Sequence, residues 1–288
     1  MGARRSQQLL QGIEQIISQA LDEDLGPGDL TTLAVVPPRL MAQGTLRAKS
    51  DLILAGWPIA VRVFAKLDPN LRIQSACQEG RRIKAGRPIA RLEGLARPML
   101  MAERVALNFL QQLSGIATLT AHFVQAVEGT RARIAATRKT HPGLSRLEKY
   151  AVTVGGGIPH RLGLDDGILI KDNHLALAGS VTEAVRRARA SRAGKKIIEV
   201  EVETLDQVQE AISAQADMIM LDNMSVAQMQ RAVRLVAGRA LLEASGGVTL
   251  QNVARVARTG VDFISVGALT HSAAAADISL EIQTAQEK

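Results

Sequence analysis

The sequence predicts an α/β protein in which a small α+β region precedes a parallel α/β barrel. Short apolar runs alternate with amphipathic helical segments through the second half of the chain. Several of these runs are almost continuously apolar, as expected for parallel strands that are buried on both faces. No Gly-x-Gly-x-x-Gly sequence follows the first of them, which argues against a dinucleotide-binding doubly wound sheet.

Helical periodicity marks the beginning of the first region. Apolar residues at positions 9–21 recur at helical spacing and predict an amphipathic helix that ends at Gly26-Pro27-Gly28. A further helix is predicted over residues 57–67, because Pro58 suits the first turn of a helix.

Short strands and one long helix complete the first region. After Asp29-Leu30-Thr31-Thr32, alternating residues predict strands around 44–49 and 52–55. Glycines and short apolar pairs between residues 71 and 93 predict small antiparallel strands. A long helix is expected over residues 99–127, with a break at Ser114-Gly115.

The second region alternates strands and helices, which favours a barrel. Its strands are predicted at residues 133–137, 168–171, 197–202, 218–221, 240–244 and 263–266. Its helices are predicted at residues 180–191, 205–214, 225–236 and 250–259.

The composition limits the class of protein. Aromatic residues make up 2% of the chain, so the core must consist of branched aliphatic residues and alanine. The single cysteine, Cys77, excludes an intramolecular disulfide, and we expect a cytoplasmic protein because no apolar run is long enough to span a membrane. The formal net charge of +7 suits a small, highly anionic ligand.

Charged and small residues are sorted along the predicted strand ends, where barrel active sites lie. Cations come first, acids follow on the next two strands, and small residues follow on the last two. In chain order these residues are Arg138, Lys139, Arg161, Lys171, Glu199, Glu201, Glu203, Asp222, Asn223, Ser245, Gly246, Gly247 and Gly267. Any one of them could simply face solvent, but the sorting indicates a ligand.

The sorted residues indicate which ligands. Ser245, Gly246 and Gly247 could offer backbone N–H groups to a phosphate. Glu201 and Asp222 could hold Mg²⁺ through oxygen ligands, and the cations exceed what one monophosphate requires. The site therefore calls for at least two anionic substrates and a metal.

At these residues the sequence resembles the type II phosphoribosyltransferases, among them the quinolinate phosphoribosyltransferase family. The matching stretches span nearly the whole chain in order, and include Arg138-Lys139, His160-Arg161 and Lys171-Asp172-Asn173-His174. The full set is residues 23–26, 28–32, 102–110, 114–118, 137–140, 142–144, 148–151, 155–157, 160–164, 170–174, 199–203, 222–224 and 243–247.

The resemblance implies a domain organisation. Residues 1–114 would form an N-terminal helix and an open α/β sandwich, and residues 115–288 an incomplete α/β barrel. A C-terminal helix at about residues 273–286 would pack back on the first domain. The protein would be a homodimer, in which the partner subunit's Arg104 completes each active site.

The resemblance also implies residue roles. Quinolinate would be bound by Arg104, Arg138, Lys139, His160, Arg161 and Lys171. Phosphoribosyl pyrophosphate would be bound by Glu201, Asp222, Ser245, Gly246, Gly247 and Gly267, together with Asn173 and His174. Glu201 and Asp222 would also ligate Mg²⁺, and these two acids with Lys139 and Lys171 would be catalytic. His174 could instead be structural and orient Lys171 or Asp172.

The implied reaction transfers the phosphoribosyl group to the nitrogen of quinolinate, with loss of pyrophosphate and CO₂, and yields nicotinate mononucleotide for NAD biosynthesis. Two positions depart from the family pattern, His141 and Pro159. Both resemble a related group of proteins from molybdenum operons, so a different base remains an alternative substrate. Nicotinate, used without decarboxylation, is another.

Two further alternatives belong to other classes of protein. Residues 79–94 resemble half of a lipoyl or biotinyl carrier domain, although Lys49 is a poor candidate for the modified lysine. Nucleic-acid binding would rest on net charge alone, and it would weaken steeply with salt.

Overall fold

The structure, a computed structural model, describes residues 12–191 and 193–285. Its helices are α1 (Ile13–Leu25), α2 (Leu30–Val35), α3 (Trp57–Leu67), α4 (Ala96–Ala126), α5 (Ser145–Val154), α6 (Asp172–Ala178), α7 (Val181–Ala190), α8 (Leu205–Ser213), α9 (Val226–Val236), α10 (Val253–Ala257) and α11 (Ala268–His271). Its strands are β1 (Met41–Ala48), β2 (Leu52–Ile53), β3 (Arg72–Ser75), β4 (Arg82–Ile83), β5 (Pro88–Leu95), β6 (Arg133–Ala135), β7 (Ile168–Ile170), β8 (Ile198–Val202), β9 (Met218–Asp222), β10 (Leu241–Ser245), β11 (Phe263–Ser265) and β12 (Ile278–Thr284).

The described residues form two compact units. The first comprises residues 12–119, 146–155 and 273–285, and the second comprises residues 120–145 and 156–272. The expected boundary between residues 114 and 115 therefore falls within the first unit, and inside helix α4.

The first unit is built on an antiparallel sheet with the strand order β12-β1-β5-β3. Alternate residues of β1 are buried, so one face of the sheet meets the core. Gly44 on β1 has no room for a side chain, because a Cβ atom there would lie 2.9 Å from Sδ of Met99 on α4. The expected helix over residues 57–67 and the small antiparallel strands are confirmed.

The predicted break at Ser114-Gly115 is wrong, since α4 continues through it. Both residues serve packing instead. The Ser114 hydroxyl accepts from the backbone N–H of Ala55 at 3.0 Å and donates to the carbonyl oxygen of Ala55 at 3.2 Å. A Cβ atom at Gly115 would lie 2.1 Å from the carbonyl oxygen of Ala274, so only glycine allows this close approach of the chain.

The predicted C-terminal helix is also wrong. Residues 278–284 of the expected C-terminal helix form strand β12, which pairs antiparallel with β1. Ile278, Leu280 and Ile282 alternate with more polar residues, which is the period of a strand. Residues 30–35, for which the sequence predicted no element, form helix α2, because the Asp29 carboxylate caps it by accepting from the N–H of Thr32 at 2.9 Å.

The second unit contains a parallel sheet with the strand order β6-β11-β10-β9-β8-β7. Within this sheet, the strand that comes first in the sequence, β6, pairs with the strand that comes last, β11. The strands from β7 to β11 lie side by side in sequence order. This is the order of strands around a barrel, opened between β6 and β7. Ile158 forms a bridge with Ala135 on the open side of β6. The predicted incomplete α/β barrel is confirmed.

Capping residues set where three of the crossover helices begin. Ser180, Thr204 and Ser225 each accept, through the side-chain oxygen, from the backbone N–H three residues later. Thr204 and Ser225 end the loops that follow β8 and β9, and Ser180 follows helix α6, which comes after β7. The carboxyl ends of the parallel strands consequently open into short loops at one edge, where side chains from different strands can meet.

Candidate active site

A cavity of about 720 Å³ opens at the carboxyl ends of the parallel strands in the second unit. Its lining includes most of the residues predicted for the site. They are Arg138, Lys139, His160, Arg161, Lys171, Glu201, Asp222, Ser245, Gly246, Gly247 and Gly267. The structure thus brings together side chains that are up to about 130 residues apart in the sequence, as strand ends of one barrel do.

The cations occupy the sector formed by the ends of β6 and β7 and the segment between them. Burial and the neighbouring charge of Arg138 lower the pKa of Arg161, although Glu199 and Glu201 act in the opposite direction. Lys139 extends towards the other end of the cavity, since a Cβ atom at Gly267 would lie 3.2 Å from its Cδ. A substrate carrying several negative charges would relieve the repulsion among these cations.

The acidic sector is formed by Glu201 on β8 and Asp222 at the end of β9. The ammonium group of Lys171 contacts Oε2 of Glu201, whose side chain is 13% exposed. A positive charge therefore already lies against this carboxylate. Two carboxylates on neighbouring strands, facing a polar cavity, fit a hard cation such as Mg²⁺, which takes oxygen ligands and keeps several waters.

The loop after β10 is shaped by its glycines. Gly246 and Gly247 have φ angles of 88° and 61°, in the region that favours glycine. A Cβ atom at Gly246 would lie 2.2 Å from Oδ1 of Asn223, so a larger residue there would have to displace the asparagine. The backbone is consequently open to the cavity, as a phosphate-binding loop requires.

A buried cluster of three side chains lies beside the cationic sector. Nε2 of His160 is 3.1 Å from Oε2 of Glu243 and 3.6 Å from Oε2 of Glu199. Both glutamates are buried, and the Oε1 atom of each makes no hydrogen bond in the structure. Because Nε2 faces two carboxylates, it carries a hydrogen and donates it to Glu243.

The charges in this cluster are not independent. Burial, followed by the nearby charge of Glu243, raises the pKa of Glu199 to about 8. The cluster also has the ligand types of a metal centre, with its three ligand atoms within 4.8 Å of one another. His160 itself has a φ angle of 53°, which is uncommon for a residue with a side chain. The carboxylates therefore fix an imidazole whose backbone is also constrained.

Three predicted site residues do not line the cavity. Arg104 is on α4 in the first unit, with 59% of its side chain exposed. Asn173 and His174 are exposed in the first turn of α6. Nδ1 of His174 accepts from the backbone N–H of Lys171 at 3.0 Å, which is the structural alternative considered for this residue.

Some cavity residues escaped the sequence-based assignment. His271 lines the cavity beside Gly267, although no role in the site was predicted for it. Asn223 and Glu243 belonged to matching motifs but had been given no role in the site. The alternation of residues along β10 could have indicated that Glu243 points inward, whereas the partners of both residues could not be read from the sequence. His141 and Pro159, the two departures from the family pattern, do not line the cavity.

Among the residues that the structure describes, no helix combines the length and apolar character needed to cross a membrane. The stretch at residues 79–94 supplies β4 and β5 to sheets of the first unit. Glu79 itself accepts from the N–H groups of Gly56 and Trp57 at the start of α3, and from the Tyr150 hydroxyl.

Comparison with known proteins agrees with this geometry. The N-terminal domain of quinolinate phosphoribosyl transferase matches residues 29–114, and its C-terminal domain matches residues 116–281. The first match includes residues 79–94 and assigns them to that domain rather than to a carrier module.

Individual relatives match over almost their whole length. A nicotinate-nucleotide pyrophosphorylase [carboxylating] from Mycobacterium leprae is 44% identical, over 92% of this chain and 95% of the relative. A probable enzyme of the same name from Bacillus subtilis is 42% identical, over 96% and 95%. The crystal structure of NadC from Streptococcus pyogenes superposes with a TM-score of 0.92 at 42% identity, covering 95% of this chain and 97% of that one. The chain belongs to the quinolinate phosphoribosyltransferase family, whose enzymes are phosphoribosyltransferases of the carboxylating nicotinate-nucleotide pyrophosphorylase type.

Proposed function

We propose that the protein transfers phosphoribosyl from phosphoribosyl pyrophosphate to quinolinate in a Mg²⁺-dependent reaction that releases CO₂. The products would be nicotinate mononucleotide, a precursor of NAD, and pyrophosphate, and the reaction would take place in the cytoplasm. The observation that carries this proposal is one cavity that is lined by cations from β6, β7 and the segment between them, by acids from β8 and β9, and by the glycine loop after β10. We call the cations the cationic end of the site, and the acids with the glycine loop the acidic end.

Quinolinate would occupy the cationic end. Its two carboxylates require more positive charge than a single arginine supplies, and Arg138, Arg161 and Lys171 supply it. His160 would contribute its remaining ring face to the substrate, because Nε2 is engaged by the buried glutamates. Nicotinate has one carboxylate and would leave part of this charge unpaired, so the arrangement favours the dicarboxylate.

Phosphoribosyl pyrophosphate would occupy the acidic end. The backbone of Gly246 and Gly247 would bind its 5′-phosphate, and Glu201 and Asp222 would hold Mg²⁺ and the ribose hydroxyls. Bound there, the ion would supply positive charge to the pyrophosphate oxygens. Lys171 would have to leave Glu201 when the ion binds, and would then be free to contact the substrates.

The chemistry follows from this placement. The lone pair of the pyridine nitrogen forms the bond to C1 of ribose, and the C1–O bond breaks with its electron pair leaving on pyrophosphate. Lys139, between the two ends of the cavity, would stabilise that negative charge. The ring nitrogen is then cationic and stabilises the electron pair left on the adjacent carbon when CO₂ departs. A proton taken up by that carbon completes nicotinate mononucleotide.

The active site would be shared between two subunits. Arg104 does not line the cavity of its own chain and is well exposed, so it is free to reach a second copy. Leu30 and Val35 on α2 are also exposed, at 82% and 71%, and such apolar side chains are typical of a surface that is covered in an oligomer. In the homodimer, the partner subunit's Arg104 would contact quinolinate.

The direct test supplies purified protein with Mg²⁺, phosphoribosyl pyrophosphate and quinolinate labelled at the carboxylate next to the ring nitrogen. We expect labelled CO₂ and nicotinate mononucleotide in equal amounts, and neither product without Mg²⁺. Nucleotide formed from nicotinate, with no turnover of quinolinate, would reject the proposed substrate. No product from either base would favour the alternative of a different base.

The shared site is tested by mixing variants. Arg104→Ala and Lys171→Ala homodimers should each be inactive, whereas a hybrid dimer has one intact site. Random exchange of subunits in an equal mixture should restore about a quarter of the wild-type activity. A mixture of Arg138→Ala and Lys171→Ala is the matched control, because both residues line the same cavity and no hybrid site is intact. Equal behaviour of the two mixtures, with exchange verified, would exclude a shared site.

A further inference from the structure

Asn223 lies between the acidic sector and the glycine loop. Asp222 ends strand β9 and Asn223 follows it, while Ser245 ends the neighbouring strand β10 and is followed by Gly246. Asp222 and Ser245 are register partners in the parallel sheet. The asparagine is therefore placed where the two halves of the proposed phosphoribosyl pyrophosphate site come closest.

The contacts of Asn223 reach both strands. Its backbone N–H donates to the carbonyl oxygen of Ser245 at 3.0 Å. Its side-chain Nδ2 donates to Oδ2 of Asp222 at 2.7 Å. Its Oδ1 occupies the space where a Cβ atom of Gly246 would lie, 2.2 Å away. One side chain thus contacts the carboxylate of the proposed metal site and the first glycine of the proposed phosphate loop.

The backbone of Asn223 is adapted to this position. Its φ angle is 51°, in the left-handed region that asparagine tolerates better than most residues. That conformation directs the N–H towards β10 while the side chain turns back to Asp222. The hydrogen bond from Nδ2 uses Oδ2 of the aspartate and leaves Oδ1 available to a ligand.

The other side of the glycine loop is held by a second asparagine. Nδ2 of Asn252 donates to the carbonyl oxygen of Gly247 at 2.9 Å, and its Oδ1 accepts from the N–H of Thr249 at 2.8 Å. Asn252 therefore fixes the loop internally and contacts no acid of the site. The link from the loop to the acidic sector is made by Asn223.

We propose that Asn223 is a positioning residue that holds the Asp222 carboxylate and the glycine loop at a fixed spacing. This inference rests on the proposed function, in which these two elements bind the pyrophosphate and 5′-phosphate ends of one substrate. Asn223 itself would not take part in bond breaking. Its loss should weaken the binding of phosphoribosyl pyrophosphate and leave quinolinate binding nearly unchanged, because Asp222, Ser245 and Gly246, which it contacts, all belong to the acidic end.

The test compares two variants of this residue with a matched control. Asn223→Gly removes the amide, keeps the N–H that donates to Ser245 and suits the left-handed backbone. Asn223→Asp keeps the shape but replaces the donor with a carboxylate. The control is Gln215→Gly, because Gln215 is also a left-handed residue, with a φ angle of 58°, and it precedes the opposite end of β9.

Binding of phosphoribosyl pyrophosphate and of quinolinate is measured by calorimetry on the full-length protein with Mg²⁺, together with the thermal transition. Because a hydrogen bond to a carboxylate is lost, the affinity for phosphoribosyl pyrophosphate should fall about tenfold in Asn223→Gly, and more in Asn223→Asp. The quinolinate affinity of both variants should stay within about twofold of wild type, as should both affinities of Gln215→Gly.

The outcomes separate this inference from the proposed function. Wild-type protein that fails to bind phosphoribosyl pyrophosphate would overturn both. If wild type binds phosphoribosyl pyrophosphate and Asn223→Gly binds it with the same affinity, the positioning role alone is overturned. Equal weakening of both ligands, accompanied by a lowered thermal transition, would mean that Asn223 serves general stability, and would also overturn it.

Discussion

Two pairs of carboxylates on the parallel strands differ in their surroundings: Glu201 and Asp222 come from the neighbouring strands β8 and β9, and Glu199 and Glu243 from β8 and β10. Glu201 and Asp222, the rim pair, line the cavity, and Glu201 contacts the ammonium group of Lys171. Glu199 and Glu243, the buried pair, have side chains only 6% and 1% exposed and share one nitrogen of His160. Glu199 and Glu201 are two residues apart on the same face of β8, so burial and partners separate their chemistry.

The difference indicates that carboxylate side chains have two separate roles in the second unit. The rim pair has solvent and a displaceable ammonium beside it, so it can exchange one cation for another. The side chains of the buried pair are almost inaccessible to solvent, and two charged carboxylates with one shared donor are unfavourable there. A proton on Glu199 relieves that cost, and Glu243, 3.1 Å from Nε2, orients the imidazole. The rim pair would serve ligands, and the buried pair would serve His160.

The largest expected effect tests the rim pair. Glu201→Gln should lower kcat/KM by about a hundredfold or more, because a neutral amide is a poor ligand for Mg²⁺ and stabilises less positive charge. Steady-state kinetics measure the loss. The matched control is Glu203→Gln, two residues further along the chain, just beyond the end of β8 and exposed, which should remain near wild type. An equal loss in both variants would contradict the assignment of the rim pair.

The next effect tests the group whose charge acts on both pairs. Arg161 interacts with Glu199 and with Glu201, and it belongs to the cationic sector. Arg161→Ala should weaken quinolinate about thirtyfold to a hundredfold, because an ion pair in a partly buried site is lost. The affinity for phosphoribosyl pyrophosphate should fall by less than about threefold. Equal losses for the two substrates, measured by calorimetry, would show that the sectors are not separate.

A smaller effect tests how the buried pair supports His160. Glu243→Gln keeps the shape of the side chain but removes the charge that accepts from Nε2 at 3.1 Å. Quinolinate should bind about tenfold more weakly, because a charge-assisted hydrogen bond no longer orients the imidazole. The affinity for phosphoribosyl pyrophosphate is the internal reference. If that affinity fell and quinolinate binding did not, Glu243 would belong to the acidic sector instead.

The last prediction concerns the dependence of the protein's stability on pH rather than ligand binding. The pKa of Glu199 is raised to about 8 from a reference of 4.5, mainly by burial, so the folded state binds a proton that the unfolded state has released. Stability from this proton is fully present below about pH 4.5 and is lost as the pH rises through about 8, by at most about 1.4 kcal/mol per pH unit. Thermal unfolding without ligands should show this decline in wild type and a weaker one in Glu199→Gln. Parallel curves would contradict it.

The sequence was sufficient to predict the positions of the parallel strands and the residues at their carboxyl ends, because both depend on local patterns of apolar residues and on strand order. Continuous apolar runs located the six parallel strands, and the carboxyl ends of those strands located Arg138, Lys171, Glu201 and Asp222 in one cavity. Barrel geometry is sufficient for this, because every strand end opens at the same edge. The confirmed family accounts for the agreement in residue types.

The partners of individual side chains were not predictable in the same way. His160 and Glu243 are 83 residues apart, and their contact depends on the packing of side chains inside the barrel. The side chain of Asn223 reaches Gly246 because Asn223 has a left-handed φ angle, and the sequence does not show which residue adopts such an angle. His271 lines the cavity because α11 is only four residues long and returns it to Gly267.

Strand β12 has a consequence for synthesis of the protein. It forms the edge of the first unit's sheet beside β1, yet residues 278–284 follow every residue of the second unit in the chain. A ribosome therefore releases the whole barrel before that sheet can acquire its last strand. Until then β1 presents unpaired N–H and C=O groups, the kind of edge at which nascent chains join one another. Premature termination just before residue 278 would leave a complete barrel attached to an aggregation-prone sheet.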